Sequence, residues 1–270
     1  GYPYLDKVLG GGWSPKTLIV LAGQPKIGKS IFLCNLAASG MKNGNNTAYI
    51  SFEMADRKIV KRLGANLLNV KTSEYNAIAE DEYELKKRLK SIQSDSHFTG
   101  LGCLEVKEFP TSTASVPDIE NWLKKMEEIK GIKFKLIVID YINIIRNWRN
   151  PNTENTYMKI KQIAEDLRAM AMRNNWTVVS ATQFGRSSYD SSDVTLDQIS
   201  ESAGLIHTVD SLFGIIQDPM MLMNREYYLK NLANRDEALK NSKKKFLINY
   251  DYMRIMEDMQ TEIIENVFSA

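Results

Sequence analysis

Residues 23–30 read Gly-Gln-Pro-Lys-Ile-Gly-Lys-Ser and decide the fold of the chain. They fit the pattern G-x-x-x-x-G-K-[ST], in which a glycine-rich loop cradles phosphate groups. The apolar run 18–22 predicts a buried strand before the loop, and residues 31–38 predict a helix after it. This order is the context that the motif needs. The predicted phosphate-binding residues are therefore Gly23, Gln24, Pro25, Lys26, Ile27, Gly28, Lys29 and Ser30.

The residue types of this loop explain its chemistry. Gly23 and Gly28 let backbone N–H groups turn inward, and the positive end of the following helix points to the same place. Lys29 can reach the β- and γ-phosphates, and the hydroxyl of Ser30 can bind Mg²⁺. The predicted cofactors are ATP, or another nucleoside triphosphate, and Mg²⁺.

Composition limits the class of protein. The 270 residues are 43% hydrophobic and 25% charged, as in globular domains. The net charge of +2 does not by itself indicate nucleic-acid binding, which usually needs a more basic domain. Cys34 and Cys103 lack the spacing of a metal site or disulfide framework, which favours a reducing, intracellular setting. No apolar run is long enough to span a membrane, and no signal peptide is visible.

Alternating strand and helix patterns predict an α/β fold with a mostly parallel, twisted sheet and helices on both faces. Further strands are expected at 47–52, 104–109, 134–140, 176–181, 211–217, 227–232 and 245–250. Helices are expected at 56–70, 116–130 and 154–174, with one helix or a pair at 74–92. Residues 186–202 predict a long exposed loop. Without repeats or linkers, residues 1–270 are expected to form one domain.

Polar residues stand where three predicted strands end, and ligands of open α/β sheets bind beyond such ends. Asp140 is expected to hold Mg²⁺ beside the phosphate loop. Glu53 is either the base that accepts a proton from the attacking water or a glutamate that starts a helix. Gln183 can hydrogen-bond the γ-phosphate and report its loss. Arg235 is either a surface cation or a finger that reaches a neighbouring subunit's γ-phosphate.

Taken together, these segments resemble the DnaB family of ring-forming, RecA-like replicative DNA helicases, and especially those of T-even-type phages. The matching stretches are residues 9–18, 23–30, 49–55, 138–142, 181–186 and 196–205, in the family's order. The resemblance implies that Glu53 is the catalytic base, Gln183 the sensor and Arg235 the trans-acting finger. It implies that Ser30 and Asp140 form the metal site. It assigns single-stranded DNA binding to Arg186, Ser200, Glu201, Ser202 and Gly204.

The resemblance also implies a function. The chain would be the ATP-dependent motor of a replicative helicase, which moves 5′→3′ on single-stranded DNA and unwinds the duplex. The implied partners are DNA, further copies in a homo-hexamer of the full-length form, a primase and a loader. The implied location is the cytoplasm, that of the host cell if the chain is phage-encoded. The family's amino-terminal domain and linker helix do not occur in residues 1–270, which implies an isolated motor domain.

Two alternative functions stay open at this point: another RecA-like ATPase, of the recombination or clock type, and a nucleotide-dependent assembly module without unwinding. Two positions also depart from the family. Ala233 stands where many members have a lysine, and Lys230 is the candidate substitute. Ser200 stands where some relatives carry a basic residue.

Two further clusters have alternative interpretations. One cluster consists of Arg146, Trp148 and Arg149. It is either a second DNA-binding loop, in which the tryptophan stacks on bases, or a segment in which the tryptophan covers the sheet edge. The second cluster is a group of methionines. It predicts either side chains that pack in the core or at a subunit interface, or a surface that binds another protein. Its members are Met220, Met221, Met223, Met253, Met256 and Met259.

Overall fold

The computed structural model describes residues 1–93, 100–184, 203–235, 239–261 and 263–264. Within these ranges the strands form one nine-stranded sheet. The strands are β1 (Thr17–Gly23), β2 (Thr47–Ser51), β3 (Leu104–Glu108), β4 (Leu136–Asp140), β5 (Thr177–Gln183), β6 (Ser211–Ile216), β7 (Glu226–Asn234), β8 (Lys243–Asn249) and β9 (Arg254–Glu257).

The order of the strands across the sheet is β3-β2-β4-β5-β1-β6-β7-β8-β9. From β3 to β6 all neighbours are parallel, whereas β7, β8 and β9 continue the sheet in antiparallel pairs. The predicted mostly parallel sheet is therefore confirmed. The sequence reading did not predict β9, a short strand at the edge.

Helices cover both faces of this sheet, as predicted. They are α1 (Pro3–Val8), α2 (Lys29–Lys42), α3 (Asp56–Leu68), α4 (Tyr75–Glu80), α5 (Glu82–Gln93), α6 (Val116–Lys130), α7 (Thr156–Asn174), α8 (Ala203–Ile206) and α9 (Pro219–Asn224). One core cluster joins the sheet to α6 and α7, and a second joins its other face to α1, α2 and α3. Because both faces are covered, all residues of the central strand β4 are buried, which explains its continuous apolar sequence.

Local hydrogen bonds account for differences from the predicted helix limits. Helix α7 begins at Thr156 rather than at 154, because the Asn155 side chain accepts a hydrogen bond from the N–H of Met158 at 3.0 Å and caps the helix. The segment 74–92 is a pair of helices, since the Asp81 carboxylate caps α5 by accepting from Tyr83 N and Glu84 N, each at 3.0 Å. Helix α3 begins at Asp56, as predicted, but ends at Leu68 rather than at 70, because Asn69 adopts the left-handed conformation that ends a helix.

The start of the chain packs against its last strands. The Tyr4 hydroxyl donates to the carbonyl of Ser242 at 2.7 Å, and the Tyr2 hydroxyl donates to that of Ile255 at 3.1 Å. The ring of Phe246 lies 5.5 Å from that of Tyr2 and 6.5 Å from that of Tyr4. Helix α1 and the antiparallel strands thus complete one end of the core together. In the described ranges, none of the helices has the length and apolarity needed to cross a membrane.

Candidate active site

The phosphate loop lies between β1 and α2, at the carboxyl end of the parallel strands. Gly28 caps α2 with φ of +99°, a conformation that glycine adopts without the steric cost of a side chain. A Cβ added at Gly23 would lie 3.0 Å from Ile27 Cγ2, so a side chain there would push against the loop. The local structure therefore explains both glycines of the motif.

Lys29 turns its ammonium back over the loop. Its Nζ donates to the carbonyls of Gly23 at 2.9 Å and Gln24 at 2.6 Å. Burial lowers the pKa of Lys29 to about 8, although the negative charges of Asp140 and Glu53 oppose this effect. The loop thus holds a buried cation close to two acidic residues.

Asp140 is the last residue of β4 and is 1% exposed. Its carboxylate accepts a hydrogen bond from the Tyr49 hydroxyl at 3.0 Å. Burial raises its pKa, and the Ser30 and Tyr49 hydroxyls oppose that rise. The Ser30 hydroxyl beside this carboxylate supplies oxygen ligands that Mg²⁺ prefers, so the residues fit the predicted metal.

Glu53 lies just beyond β2, whose Ser51 is in register with Asp140 of the neighbouring strand. Its side chain is exposed. Its negative charge helps to raise the pKa of Tyr141, which burial raises most, and it acts on Lys29 as well. Glu53 therefore shares the loop's edge of the sheet with Lys29 and Asp140.

Gln183 ends β5 in register with Gly23 of β1. Its Nε2 donates to the hydroxyl of Tyr141 at 3.0 Å. This bond links the end of β5 to the residue that follows Asp140. The structure thus brings the loop, Asp140, Glu53 and Gln183 to one edge of the sheet, as the sequence predicts.

Arg235 lies at the opposite end of the sheet. It follows β7, and its Nε lies 3.0 Å from Oδ1 of Asp210, the residue just before β6. Asp210 Oδ2 also accepts a hydrogen bond from Leu18 N at 2.8 Å, near the start of β1. At about 3.3 Å per residue, Leu18 and Gly23 are roughly 16 Å apart along the strand. Arg235 therefore does not reach the phosphate loop of its own chain.

The predicted DNA-binding residues Arg186, Ser200, Glu201 and Ser202 lie outside the described residues. Gly204 is buried in α8 against α7. A Cβ added there would lie 2.9 Å from Lys161 Cβ, so the glycine allows the two helices to approach closely.

The second candidate DNA loop is attached to the helices behind it. Arg146 forms an ion pair with Asp118 at 2.9 Å. Arg149 pairs with Glu165 and Asp166, and the indole N–H of Trp148 donates to Asp166 at 2.7 Å. Both arginine charges are therefore matched by carboxylates of the same chain.

Lys230 does not lie on the surface beside Arg235. It is buried within β7, paired with Gly214 of β6 and Lys243 of β8. A buried ammonium cannot approach a neighbouring subunit's phosphate, so the structure offers no support for Lys230 as the substitute for the lysine missing at Ala233.

The methionine cluster is mostly exposed. Met253 packs against the core, but Met220, Met223, Met256 and Met259 lie on the surface. Core packing was therefore the wrong interpretation for these four residues.

Sequence reasoning missed two residues that contact the site. Tyr49 donates to Asp140, and Tyr141 accepts from Gln183. The available signals were a tyrosine inside the apolar strand β2 and an aromatic residue directly after the strand-end aspartate.

Comparison with known proteins gives consistent relatives. The family model for the DnaB-like helicase C terminal domain matches residues 1–226. A DnaB-like replicative helicase of Enterobacteria phage T4 is 33% identical over 268 residues, which are 97% of this chain and 56% of that protein. The replicative DNA helicase DnaB of Geobacillus stearothermophilus is 24% identical over 244 residues, 87% of this chain and 49% of that protein. The chain thus spans about half the length of these relatives.

Solved structures share the fold. The ATPase domain of G40P is 18% identical with a TM-score of 0.76, covering 95% of this chain and 89% of that one. A DnaB-like replicative helicase, solved to show its interactions with primase, is 18% identical with a TM-score of 0.75, covering 95% of this chain and 60% of that one. These likenesses confirm the predicted RecA-like α/β fold.

Proposed function

Because the chain belongs to the family of DnaB-like helicase C-terminal domains, whose model matches residues 1–226, we propose that it is the ATP-hydrolysing motor of a replicative DNA helicase. The resemblance seen in the sequence is thereby confirmed at the level of the family. Moving 5′→3′ along single-stranded DNA and unwinding the duplex are the activities that we propose for the whole protein.

One observation supports this proposal most directly: Lys29, Ser30, Asp140 and Glu53 converge at the carboxyl edge of neighbouring strands. A buried cation, an oxygen pair for Mg²⁺ and an exposed carboxylate are the groups that phosphoryl transfer to water needs. Mg²⁺, when bound, would neutralise charge on the phosphates. Ser30 and Asp140 would hold it, while Lys29 binds the β- and γ-phosphates.

The remaining roles follow from position. Glu53 is placed to accept a proton from the attacking water, because its carboxylate is exposed at the edge where Lys29 lies. Gln183, bonded to Tyr141, is placed to pass the loss of the γ-phosphate on to the residues that follow β5.

Arg235 serves a neighbouring subunit in this proposal. Its place at the far end of the sheet supports action in trans, since its own loop is out of reach. Sites shared between subunits in turn favour a closed ring, which we propose to be a homo-hexamer.

We propose the same partners as the resemblance implies: single-stranded DNA, a primase and a loader. For primase, the support is the similar structure of a DnaB-like replicative helicase and its interactions with primase. The proposed DNA contacts are Arg186, Ser200, Glu201, Ser202 and Gly204. The proposed location is the cytoplasm, that of the host cell for a phage-encoded chain.

The decisive experiment compares Glu53→Gln with Asp56→Asn. Both replace an exposed carboxylate by its amide, but Asp56 belongs to the first turn of α3. We expect Glu53→Gln to lower ATP turnover in the presence of single-stranded DNA by about 10²-fold or more while ATP still binds, because general base catalysis contributes on that scale. Asp56→Asn should leave turnover within about twofold, by the same reasoning.

Unchanged turnover in Glu53→Gln would contradict the assignment of the base. Absence of any turnover in the unmodified chain, with ATP bound, would favour the assembly module. No observation on the described residues favours either alternative function.

A further inference from the structure

A buried tyrosine lies on the core side of the metal site. The Tyr49 hydroxyl donates to Oδ2 of Asp140 at 3.0 Å. Tyr49 is 0% exposed. None of the roles proposed above uses this residue.

The placement follows from the alternation of side chains along strands. Tyr49 pairs with Val138 and Ser51 pairs with Asp140, so Tyr49 and Asp140 lie on the same face of neighbouring strands. Helix α2 covers that face. A phenylalanine at position 49 would keep the ring in the core but would bring no donor to Asp140.

The direction of the hydrogen bond is fixed by its chemistry. A tyrosine hydroxyl has one proton, and the carboxylate of Asp140 can only accept, so Tyr49 donates. The hydrogen bond therefore orients the carboxylate of Asp140 from the core side.

We propose that Tyr49 is a positioning residue for Mg²⁺, which fixes the rotation of the Asp140 carboxylate. Tyr49 holds the carboxylate from the core side, and Ser30 lies on the loop side. Tyr49 does not touch the nucleotide in this arrangement; it acts through Asp140. The inference rests on the proposed function, because it needs Asp140 to bind the metal.

The test uses Tyr49→Phe, which removes one oxygen and keeps the ring. The matched control is Tyr227→Phe, because Tyr227 is equally buried and its hydroxyl has no hydrogen-bond partner among the residues that the structure describes. Mn²⁺ binding in the presence of ADP is measured by electron paramagnetic resonance, and ADP binding is measured without metal.

We expect Tyr49→Phe to weaken Mn²⁺ binding about 10-fold, near the lower end of the effect of removing an outer-shell partner of a metal ligand. ADP binding without metal should not change, and Tyr227→Phe should bind Mn²⁺ like the unmodified chain.

The outcomes separate this inference from the function on which it rests. If Tyr49→Phe binds Mn²⁺ as tightly as the unmodified chain, the positioning role is overturned and the proposed function stands. If Asp140→Asn leaves Mn²⁺ binding unchanged, the metal site itself is wrong. Should Tyr49→Phe fail to fold, Tyr49→Met, which also lacks the hydroxyl, decides, and Mn²⁺ binding unaltered in that variant overturns the inference.

Discussion

Arg235 and Asp210 form an ion pair at the end of the sheet that is remote from the phosphate loop, with Nε of the arginine 3.0 Å from Oδ1 of the aspartate. The arginine side chain is 49% exposed, so the pair holds its guanidinium at Nε while leaving much of the side chain open to another molecule. Arg168 contacts the same carboxylate through Nε and Nη2. One half-buried carboxylate thus contacts two cations of different exposure.

Complementation between defective subunits tests action in trans. Lys29→Ala removes the loop cation and Arg235→Ala removes the finger, so neither preparation should hydrolyse ATP on single-stranded DNA. After mixing and exchange of subunits, roughly one interface in four joins an intact loop to an intact finger. We expect turnover to return to about that fraction. If the mixture stays inactive although labelled subunits show that exchange has occurred, Lys29 and Arg235 act in the site of one and the same subunit.

The two arginines of Asp210 should differ in their effect on stability. Arg168 is 27% exposed and makes several contacts with the carboxylate, whereas Arg235 is half-exposed. We expect Arg168→Met to lower the free energy of unfolding by about 1 to 2 kcal/mol and Arg235→Met by less than about 1 kcal/mol. Urea denaturation of both variants measures this, and the reverse order would show that Arg235 has a structural rather than a free role.

We expect the buried charge of Lys29 to destabilise the folded protein. Burial lowers its pKa to about 8 from an ordinary value of 10.5, despite the opposing charges of Asp140 and Glu53. At pH 7 we expect Lys29→Met to unfold with a free energy higher by about 1 to 2 kcal/mol, although it loses ATP binding. Lys26→Met, on the exposed part of the same loop, is the control.

The sign of the pH dependence follows from that pKa. Between pH 8 and pH 10.5 the unfolded chain keeps the proton that folded Lys29 has released. The unmodified protein therefore gains stability as the pH rises through this range, and its difference from Lys29→Met should shrink. A less stable Met variant at pH 7 would mean that the two carbonyl hydrogen bonds outweigh the burial of the charge.

Glu120 of α6 should make the stability of the protein depend on pH in the acidic range. Burial raises its pKa, but hydrogen bonds from Arg173, Asn174 and Lys124 outweigh burial and hold the pKa at about 2, below its ordinary 4.5. The stabilisation is complete above pH 4.5 and is lost as the pH falls towards 2.

Glu120→Gln should therefore destabilise the protein by about 1 to 2 kcal/mol at pH 7, and by less at pH 3. Denaturant unfolding at both pH values measures the difference, and Glu128→Gln, an exposed position of the same helix, is the control. An effect of equal size at both pH values would exclude the ionised carboxylate as its source.

The salt dependence of DNA binding should distinguish the two candidate loops. The charge of Arg149 is already paired with Glu165 and Asp166, so Arg149→Gln should leave the slope of log affinity against log salt nearly unchanged. Arg186→Gln should reduce that slope by about 0.7, the value for one phosphate contact on a single strand. Fluorescence anisotropy with labelled oligonucleotide measures both slopes, and a reduced slope for Arg149→Gln would restore the second loop as a DNA contact.

The parts of this site that could be predicted lie in continuous segments of the sequence. The loop and its flanking strand and helix are one continuous segment, and Asp140 is the first charge after a buried strand, so both follow from local pattern. Gln183 could be placed because parallel strands bring their ends to one edge.

What the sequence left undetermined depends on register and on packing between distant segments. Tyr49 meets Asp140 only because β2 and β4 pair with Ser51 opposite Asp140, and no local pattern encodes that register. The sequence could not show that Lys230 is buried, since a lysine in a short strand is equally compatible with an exposed position at the edge of a sheet. Helix α7 begins two residues after its predicted start because the side chain of Asn155 caps it there, and the cap by Asp81 makes residues 74–92 the pair of helices rather than one helix.

The contacts between helix α1 and the last strands also affect when this domain can complete its fold during synthesis on the ribosome. The Tyr4 hydroxyl donates to Ser242, 238 residues further along the chain, and the Tyr2 hydroxyl donates to Ile255, 253 residues further along. Closing so long a loop is slow compared with forming local contacts. The apolar residues of α1 therefore stay uncovered until these late strands of the domain have been made, which makes binding by a chaperone during that interval an advantage for this fold.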